Sequence, residues 1–421
     1  MKKEGSPAKA RSGLIAALDV GSSKICCLIA KPNGDGTVKI VGIGHQAAVG
    51  IRSGAIVDMD GAEASIRATV EAAEEMAGEN IKAVVVNVSC GEPESRLVSY
   101  EVAIAGHEIG DADLRRILDP SAARVEQPPD RDYIHAIPVG YRVDRNRGIR
   151  DPRGMFGETL GVNMHLVSAA SSALRNLRTC IGRCHLGIEA QVIAPYASAL
   201  SSLVEDEVQL GVTLIDMGGG TTSIAVYFDG ELVHTDNVPI GGLHVTRDIA
   251  RGLSTPMTHA ERMKTLYGSA LTSPSDDREI IRVPLIGEEA DTGTTQIPRS
   301  MLNGIIKPRL EETFEMVRAR LESAGFDKAA GRRLVLTGGA SQLPGARELA
   351  GTILDKQVRI GRPRAFDGLA EAVTGPAFST PVGLLTYAIE NSADGPNRSY
   401  RPVEEPKGRL GRFGQWIREN F

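Results

Sequence analysis

Aromatic side chains are scarce, at 4% of 421 residues with a single Trp. No basic surface interleaved with aromatics appears in the body of the chain, so a base-stacking platform is lacking. The formal net charge of −5 and the pI near 6.0 run against phosphate-backbone binding, and no nucleic acid is expected as a partner. Long apolar runs are missing too. Nothing reaches the roughly 18 apolar residues that a membrane-crossing helix needs. The basic start MKKEGSPAKARSG leads into a short apolar stretch that meets Asp19, which is not the layout of a secretory signal. Cysteine is thin: Cys26 and Cys27 are adjacent, Cys90 is isolated, and Cys180 and Cys184 lie four apart on an expected helix. None forms CxxC or a metal-ligand set, so they read as buried thiols in a cytoplasmic protein. There is no GxxxxGK[ST] and no GxGxxG, which sets aside a P-loop and a dinucleotide Rossmann domain. What remains, 42% apolar and 24% charged, is ordinary for a soluble globular protein too long for one core, so two to four units are expected.

The chain is organised around Leu214 to Gly230, LIDMGGGTTSIAVYFDG. An apolar run ends in Asp216, the turn Gly218, Gly219, Gly220, Thr221, Thr222 follows, and an apolar-rich segment returns, giving strand, tight turn, strand. Glycines admit a large anion, and the free N–H groups and the hydroxyls of Thr221 and Thr222 can bond it. A carboxylate beside a phosphate cradle suits a hydrated Mg²⁺. Leu14 to Ala30, LIAALDVGSSKICCLIA, repeats the pattern with Asp19 and the turn Gly21, Ser22, Ser23, Lys24. One Gly-rich hairpin alone is an ordinary turn. Two, about 200 residues apart, predict similar half-molecules closing on one phosphate chain.

Between these landmarks the pattern predicts helices at Asp58 to Met76, Ala169 to Cys184, Pro195 to Leu203, Val245 to Gly252, Thr258 to Tyr267, Arg299 to Ala324 and Val382 to Glu390, with buried strands at Ala83 to Val88 and Leu334 to Leu336. From Ser89 to about Val167 the character changes to a separate α/β module around the turn-rich GIRDPRGMFG. Residues 269 to 300 read as polar and turn-rich with one short strand, Ile280 to Val283.

DVGSSK, DMGGGTT and LTGGASQLPG occur in the order and kind of the phosphate-one, phosphate-two and adenosine motifs of the superfamily of ATPases that holds actin, the heat-shock chaperones and hexokinase. Within it the chain resembles the bacterial cell-division FtsA family from about residue 13 onward, most specifically in HAIPVGYRVDRNRGIRDPRGMFG, NVPIGGLHVTRDIA and the C-terminal tail. The resemblance implies an α/β, actin-like two-lobed ATPase fold with four subdomains and duplicated mixed sheets. The divisions it implies are a leader at 1–12, subdomain 1A at 13–88 and 168–211, an inserted 1C at 89–167, 2A at 212–252 and 332–375, and 2B at 253–331. A helix at 376–392 returns to 1A, followed by a linker at 393–407 and a tail at 408–421. It further implies bound ATP and Mg²⁺, with Asp19 and Asp216 holding the metal through water. Gly21, Ser22, Ser23, Lys24 and Gly218 to Thr222 would surround the phosphates. Glu261, Lys264 and Gly242 would sit beside the ribose and adenine, with Gly338, Gly339 and Ala340 flanking the adenosine. The implied partners are the C-terminal peptide of the tubulin-like ring protein FtsZ on 2B, further copies of the chain in a polymer, later divisome membrane proteins, and the cytoplasmic face of the cell membrane at the septum.

Two positions depart from the wider superfamily. Ala194 stands where the chaperone-like members carry a water-positioning carboxylate, and Ser223 stands where many relatives carry an acid. Losing such a group costs about 10² to 10⁴ in rate, so ATP binding with weak or no hydrolysis is expected; Gln191 is a possible substitute. Alternatives on the same fold are an adaptor of a pilus-type machine and a small-molecule kinase. A kinase needs an aspartate base, and the insertion offers Asp144 and Asp151, both in turn chemistry. The tail, GRLGRFGQWIRENF, and the signature of the inserted module favour the division role. At about 100° per residue, Leu410, Phe413, Ile417 and Phe421 fall within one arc of roughly 80° with Trp416 at its border, Arg412 and Arg418 lie on the opposite side and flanks, and Arg409 adds positive charge at the entrance. Gly408, Gly411 and Gly414 each disfavour helix in water by about 1 kcal/mol, so the tail is expected to fold on a membrane surface.

Overall fold

In the computed structural model, residues 13–33, 37–119, 129–288 and 294–392 are described. The first half opens with β1 (Ile15–Val20), β2 (Lys24–Pro32), β3 (Val38–Ala47), the short pair β4 (Ile51–Arg52) and β5 (Ala55–Ile56), α1 (Met59–Ala77) and β6 (Ala83–Val88). Next come β7 (Glu94–Ala103), α2 (Asp111–Leu118), β8 (Arg131–Val143), β9 (Asn146–Ile149), β10 (Thr159–Ala170), α3 (Ser171–Arg183), β11 (Gly187–Ile193), α4 (Ala194–Ser202) and α5 (Glu205–Leu210). The second half holds β12 (Val212–Met217), β13 (Thr222–Phe228), β14 (Glu231–Val238), α6 (Gly242–Gly252), α7 (Met257–Tyr267), β15 (Ile280–Pro284) and β16 (Thr294–Pro298). It ends with α8 (Arg299–Ser323), α9 (Phe326–Ala329), β17 (Arg333–Thr337), α10 (Ala346–Leu354), β18 (Gln357–Ile360) and α11 (Ser379–Ser392).

The two apolar runs that end in aspartate are buried along their whole length, and a strand buried on both faces belongs at the centre of a sheet. Each lies there. The first sheet runs β11-β6-β1-β2-β3 and the second β18-β17-β12-β13-β14. In both, three antiparallel strands start from the central hairpin and two parallel strands extend the other edge. The expected duplication of mixed sheets is therefore present strand for strand.

A third, antiparallel sheet, β7-β10-β8-β9, lies between the first-half elements in sequence. One of its faces closes over α2 through Ile104, Ile109, Ile117, Leu160, Met164 and Leu166. Its other face packs on the second half: Leu97 and Val139 join that half's core, and Ile137 and Val167 share a cluster with Tyr227 and Leu232. At this junction Ser95 Oγ accepts from the Thr235 N–H at 3.0 Å and lies 3.1 Å from His234 Nδ1. His165 is wholly buried there with neither ring nitrogen hydrogen-bonded.

Most expected helices lie within a few residues of their predicted limits. α1 starts where Asp58 caps it by accepting from the N–H groups of Asp60 and Gly61. α6 begins at Gly242, ahead of the expected Val245, because the extended Gly241 caps it and its carbonyl accepts from the His244 N–H at 2.9 Å. Residues 269 to 300 hold two strands instead of one. Ile280–Pro284 pairs with Thr294–Pro298, and TTQIP is too short and too rich in Thr to show alternation without its partner. β14, ELVHTDNV, was hidden in the same way by its His, Asp and Asn. Four of the thiols are buried and Cys184 is half-buried; burial pushes Cys26 up to about 12 and Cys90 up to about 11, which keeps both inert. No described helix is long and apolar enough to cross a membrane.

Burial pushes His165 down to about 3, with His234 and His135 adding repulsion. An unfolded His titrates near 6.5, so the neutral ring's contribution is whole above that pH and is lost as the pH falls from there toward 3, at up to about 1.4 kcal/mol per pH unit. In His165→Leu the acid-side fall of the melting temperature should be shallower than in the wild type. Parallel curves from pH 7 to 4.5 would show that His165 does not carry this term.

Candidate functional site

The two phosphate-type turns are built alike. Gly21 N–H donates to the Lys24 carbonyl at 3.1 Å and Gly218 N–H to the Thr221 carbonyl at 2.9 Å, so each hairpin bends over the same four residues. They face one another across the molecule at close range. A Cβ on Gly219 would lie 2.8 Å from Ser23 Cβ, and one on Gly220 would lie 2.5 Å from Ser22 Oγ. The Gly241-Gly242 step docks onto the second turn, with Gly242 N–H donating to the Gly218 carbonyl at 2.9 Å and Leu243 N–H to Gly219 at 2.8 Å. Gly338, at φ +85°, brings the adenosine-type loop against Asp216, where any Cβ would strike Oδ1 and the Met217 carbonyl.

A cavity of about 400 Å³ opens where these loops meet. It is lined by Asp19, Gly21 to Lys24, Asp216, Gly218 to Thr221, Gly242, Glu261, Lys264 and Gly338 to Ala340. Thr222 is the one proposed nucleotide residue outside it. Its hydroxyl donates inward to the Ile240 carbonyl at 2.8 Å, because the first residue of β13 already faces the sheet.

Asp19 and Asp216 are buried, at 7% and 8% exposure. Desolvation raises Asp19 to about 7, with Lys24 opposing and Asp216 adding to the rise; desolvation raises Asp216 too, against hydrogen bonds from Ser198 and Thr380. Lys24 Nζ is buried with no hydrogen-bond partner, 3.1 Å above the centroid of the Phe378 ring, and burial lowers its pKa. Two desolvated carboxylates and an unbonded ammonium on one cavity fit a hydrated divalent cation and a phosphate anion. Among the described residues no cluster of three or more His, Cys, Asp or Glu side chains could hold a metal.

At the other end Lys264 Nζ donates to Glu261 Oε2 at 2.7 Å, to the Gly242 carbonyl at 3.1 Å and to Thr246 Oγ1 at 2.9 Å, while Thr246 Oγ1 donates to Glu261 at 2.5 Å. The pair is a fixed wall tying α7 to the start of α6. Ala194 lines the cavity with a bare methyl, and Ser223 lines it with its hydroxyl turned to Asn237 Oδ1 at 3.1 Å. Gln191 does not stand in for the missing acid: Arg178 holds its Oε1 from Nε at 2.9 Å and Nη2 at 2.7 Å, outside the cavity. The kinase-type bases are also elsewhere. Asp144 caps a turn by accepting from Glu158 and Thr159 N–H groups, and Asp151 pairs with Arg153. The structure adds Gly54, Asn87, Ser89 and Thr380 to the lining; no local motif announces them, since sheet order and the return of α11 bring them in. Leu410, Phe413, Trp416, Ile417, Phe421, Arg409, Arg412 and Arg418 lie outside the described residues.

Comparison with known proteins gives the same picture. The family model described as "Cell division protein FtsA" matches residues 213–383, and that described as "SHS2 domain inserted in FTSA" matches 91–168. Cell division protein FtsA of Agrobacterium fabrum is 45% identical over 426 aligned residues, covering 98% of this chain and 96% of the relative. Those of Pseudomonas aeruginosa and Escherichia coli K12 are 37% and 31% identical, covering 98% and 97% of this chain and 100% and 98% of their own lengths. Among solved structures, a chain of a PilM-PilN type IV pilus biogenesis complex superposes with a TM-score of 0.63 at 17% identity, over 89% of this chain and 98% of that one. MreB5 of Spiroplasma citri bound to ADP gives 0.54 at 13%, over 91% and 99%. At such identities these two speak for an actin-like fold alone, whereas the near full-length relatives settle kinship: the chain belongs to the FtsA family of bacterial cell-division proteins.

Proposed function

We propose that the chain is an ATP-binding cell-division adaptor that polymerises on the cytoplasmic membrane and anchors the FtsZ ring to it at the septum. The observation that carries the nucleotide part is the meeting of two Asp-Gly hairpins and two Gly-rich loops around one cavity that holds two buried carboxylates and the unbonded Lys24 ammonium. Asp19 and Asp216 would hold Mg²⁺ through water, and the ion, when bound, would neutralise phosphate charge. Lys24 would meet a phosphate oxygen, and the N–H groups of the two turns would cradle the chain. Glu261 would accept from the ribose hydroxyls. With Ala194 and Ser223 at the water-side positions, little is left to orient an attacking water, so binding rather than turnover is the working state. In this reading the subdomains are 1A at 13–88 and 168–211, 1C at 89–167, 2A at 212–252 and 332–375, and 2B at 253–331.

The partner surfaces rest on the family and on exposed apolar side chains. Leu266, Tyr267, Ile280 and Met301 are exposed around Arg299, whose Nε donates to the Tyr267 carbonyl and whose backbone N–H donates to Glu279. This patch in 2B would receive the FtsZ C-terminal peptide, 1C would contact the next copy in a head-to-tail polymer, and the tail would bind anionic lipid while later divisome proteins join.

Three outcomes check this reading. Asp216→Ala should weaken Mg·ATP by on the order of 10², measured by calorimetry; equal affinity removes Asp216 from the site. Met301→Glu should weaken FtsZ-peptide binding at least about tenfold, and unchanged fluorescence anisotropy of a labelled peptide would move that interface elsewhere. Trp416→Glu should reduce flotation with anionic vesicles at least about tenfold while ATP still binds; undiminished flotation discards the membrane anchor.

A further inference from the structure

The second aspartate of the cavity is gripped from outside its own sheet. Asp216 is the penultimate residue of β12, yet both hydrogen bonds to its Oδ2 come from other elements: Ser198 Oγ on α4 donates at 2.5 Å and Thr380 Oγ1 on α11 at 3.1 Å. The two hydroxyls stand 2.9 Å apart, and Ser198 is fully buried. Their helices cross tightly, since a Cβ on Gly383 would overlap the Ala197 carbonyl. α11 in turn is seated on the first sheet, with Val382 against Cys26 and Leu28, and Leu384 and Leu385 in the cluster that holds Ile15 and Ala17. The donors that orient the second half's carboxylate are thus fixed to the sheet that carries Asp19.

A lone carboxylate turns freely about its last bond. Two donors on one oxygen set that angle and leave Oδ1, which lies where Gly338 has no side chain, as the oxygen still able to bind water or an ion. Asp19 has no such support, as no hydrogen bond reaches it among the described residues. We propose that Ser198 and Thr380 are positioning residues for the metal-facing carboxylate of Asp216, and that they make Mg²⁺ recognition depend on α4 and α11 holding the two halves together. This rests on the Mg·ATP reading above.

The experiment is ATP affinity of the full chain by calorimetry, with Mg²⁺ and with chelator, alongside unliganded melting temperatures. Mg²⁺ should tighten ATP binding in the wild type. In Ser198→Ala and in Thr380→Val the gain from Mg²⁺ should shrink about tenfold, and Thr380→Ser, which restores the donor, should recover it. A gain from Mg²⁺ that stays at the wild-type value in both variants overturns the proposal. So does a loss of ATP affinity that is equal with and without Mg²⁺ and follows the melting temperature, since that is what a purely structural hydroxyl pair would give. A wild-type chain that binds ATP without regard to Mg²⁺, or not at all, overturns the Mg·ATP reading and the inference with it.

Discussion

Two carboxylates driven together out of water are the constraint on which the structure turns. An ionised carboxylate taken into a protein interior costs several kcal/mol unless something answers its charge, and here Asp19 and Asp216 are both buried at the ends of central strands. Lys24 answers in part. It is itself desolvated and makes no hydrogen bond, resting on Phe378. The protein thus keeps three desolvated ionisable groups around an open space, only Asp216 among them hydrogen-bonded through its side chain, a poor arrangement for stability alone and a good one for a ligand that brings cation and anion together. The glycines read consistently with this. Gly219, Gly220, Gly241 and Gly338 each stand where a Cβ would collide with a neighbouring loop, so the loops can close around the space without filling it.

The inserted sheet extends this logic across the molecule. It belongs by sequence to the first half and leans on the second, through Ser95 at β14 and through Leu97 and Val139 in the second core. β14 pairs along β13, which starts at the Gly-rich turn, and Asn237 near its end accepts from Ser223 at the cavity. A single strand therefore meets the cavity-lining Ser223 through Asn237 and the inserted sheet through His234 and Thr235. Sliding β14 against β13 would break ladder bonds and disturb both contacts. Packed interiors resist such sliding until a distinct alternative packing is reached.

How much of this was legible in the chain depends on how far apart the cooperating residues lie. The hairpins are local: strand, turn and return strand occupy about 17 residues, and the buried-run pattern followed by glycine identifies them without a partner. Helices with long apolar stripes, such as α8 with Leu302, Ile306, Leu310, Phe314, Val317 and Leu321, are legible for the same reason. That Thr222 turns its hydroxyl to Ile240 and not to the cavity is not legible locally, because a hydroxyl's direction depends on which face of β13 it occupies, and one residue changes the face. Gln191 looked available until Arg178, on a helix that precedes it, claimed its oxygen. Ser198 and Thr380 sit 182 residues apart and carry no motif; only the crossing of α4 and α11 makes them a pair.

Duplication has not made the halves equivalent, and the differences interlock. The first turn presents Ser22 and Ser23 where the second presents Gly219 and Gly220, and the serines occupy the room that the glycines leave. Ser22 also accepts from the Gly54 N–H at 2.8 Å, which ties the first turn to the β4 and β5 hairpin loop beside it. Support for the aspartates is divided too. Near Asp19 stands an ammonium with no hydrogen bond of its own, seated on Phe378, while Asp216 is pinned by two hydroxyls. A symmetric pair of turns, glycine against glycine, would leave a gap, and serine against serine would clash. The repeat thus supplies a common frame in which matching positions carry different residues, serine against glycine at the turns and a neighbouring lysine against paired hydroxyls at the aspartates.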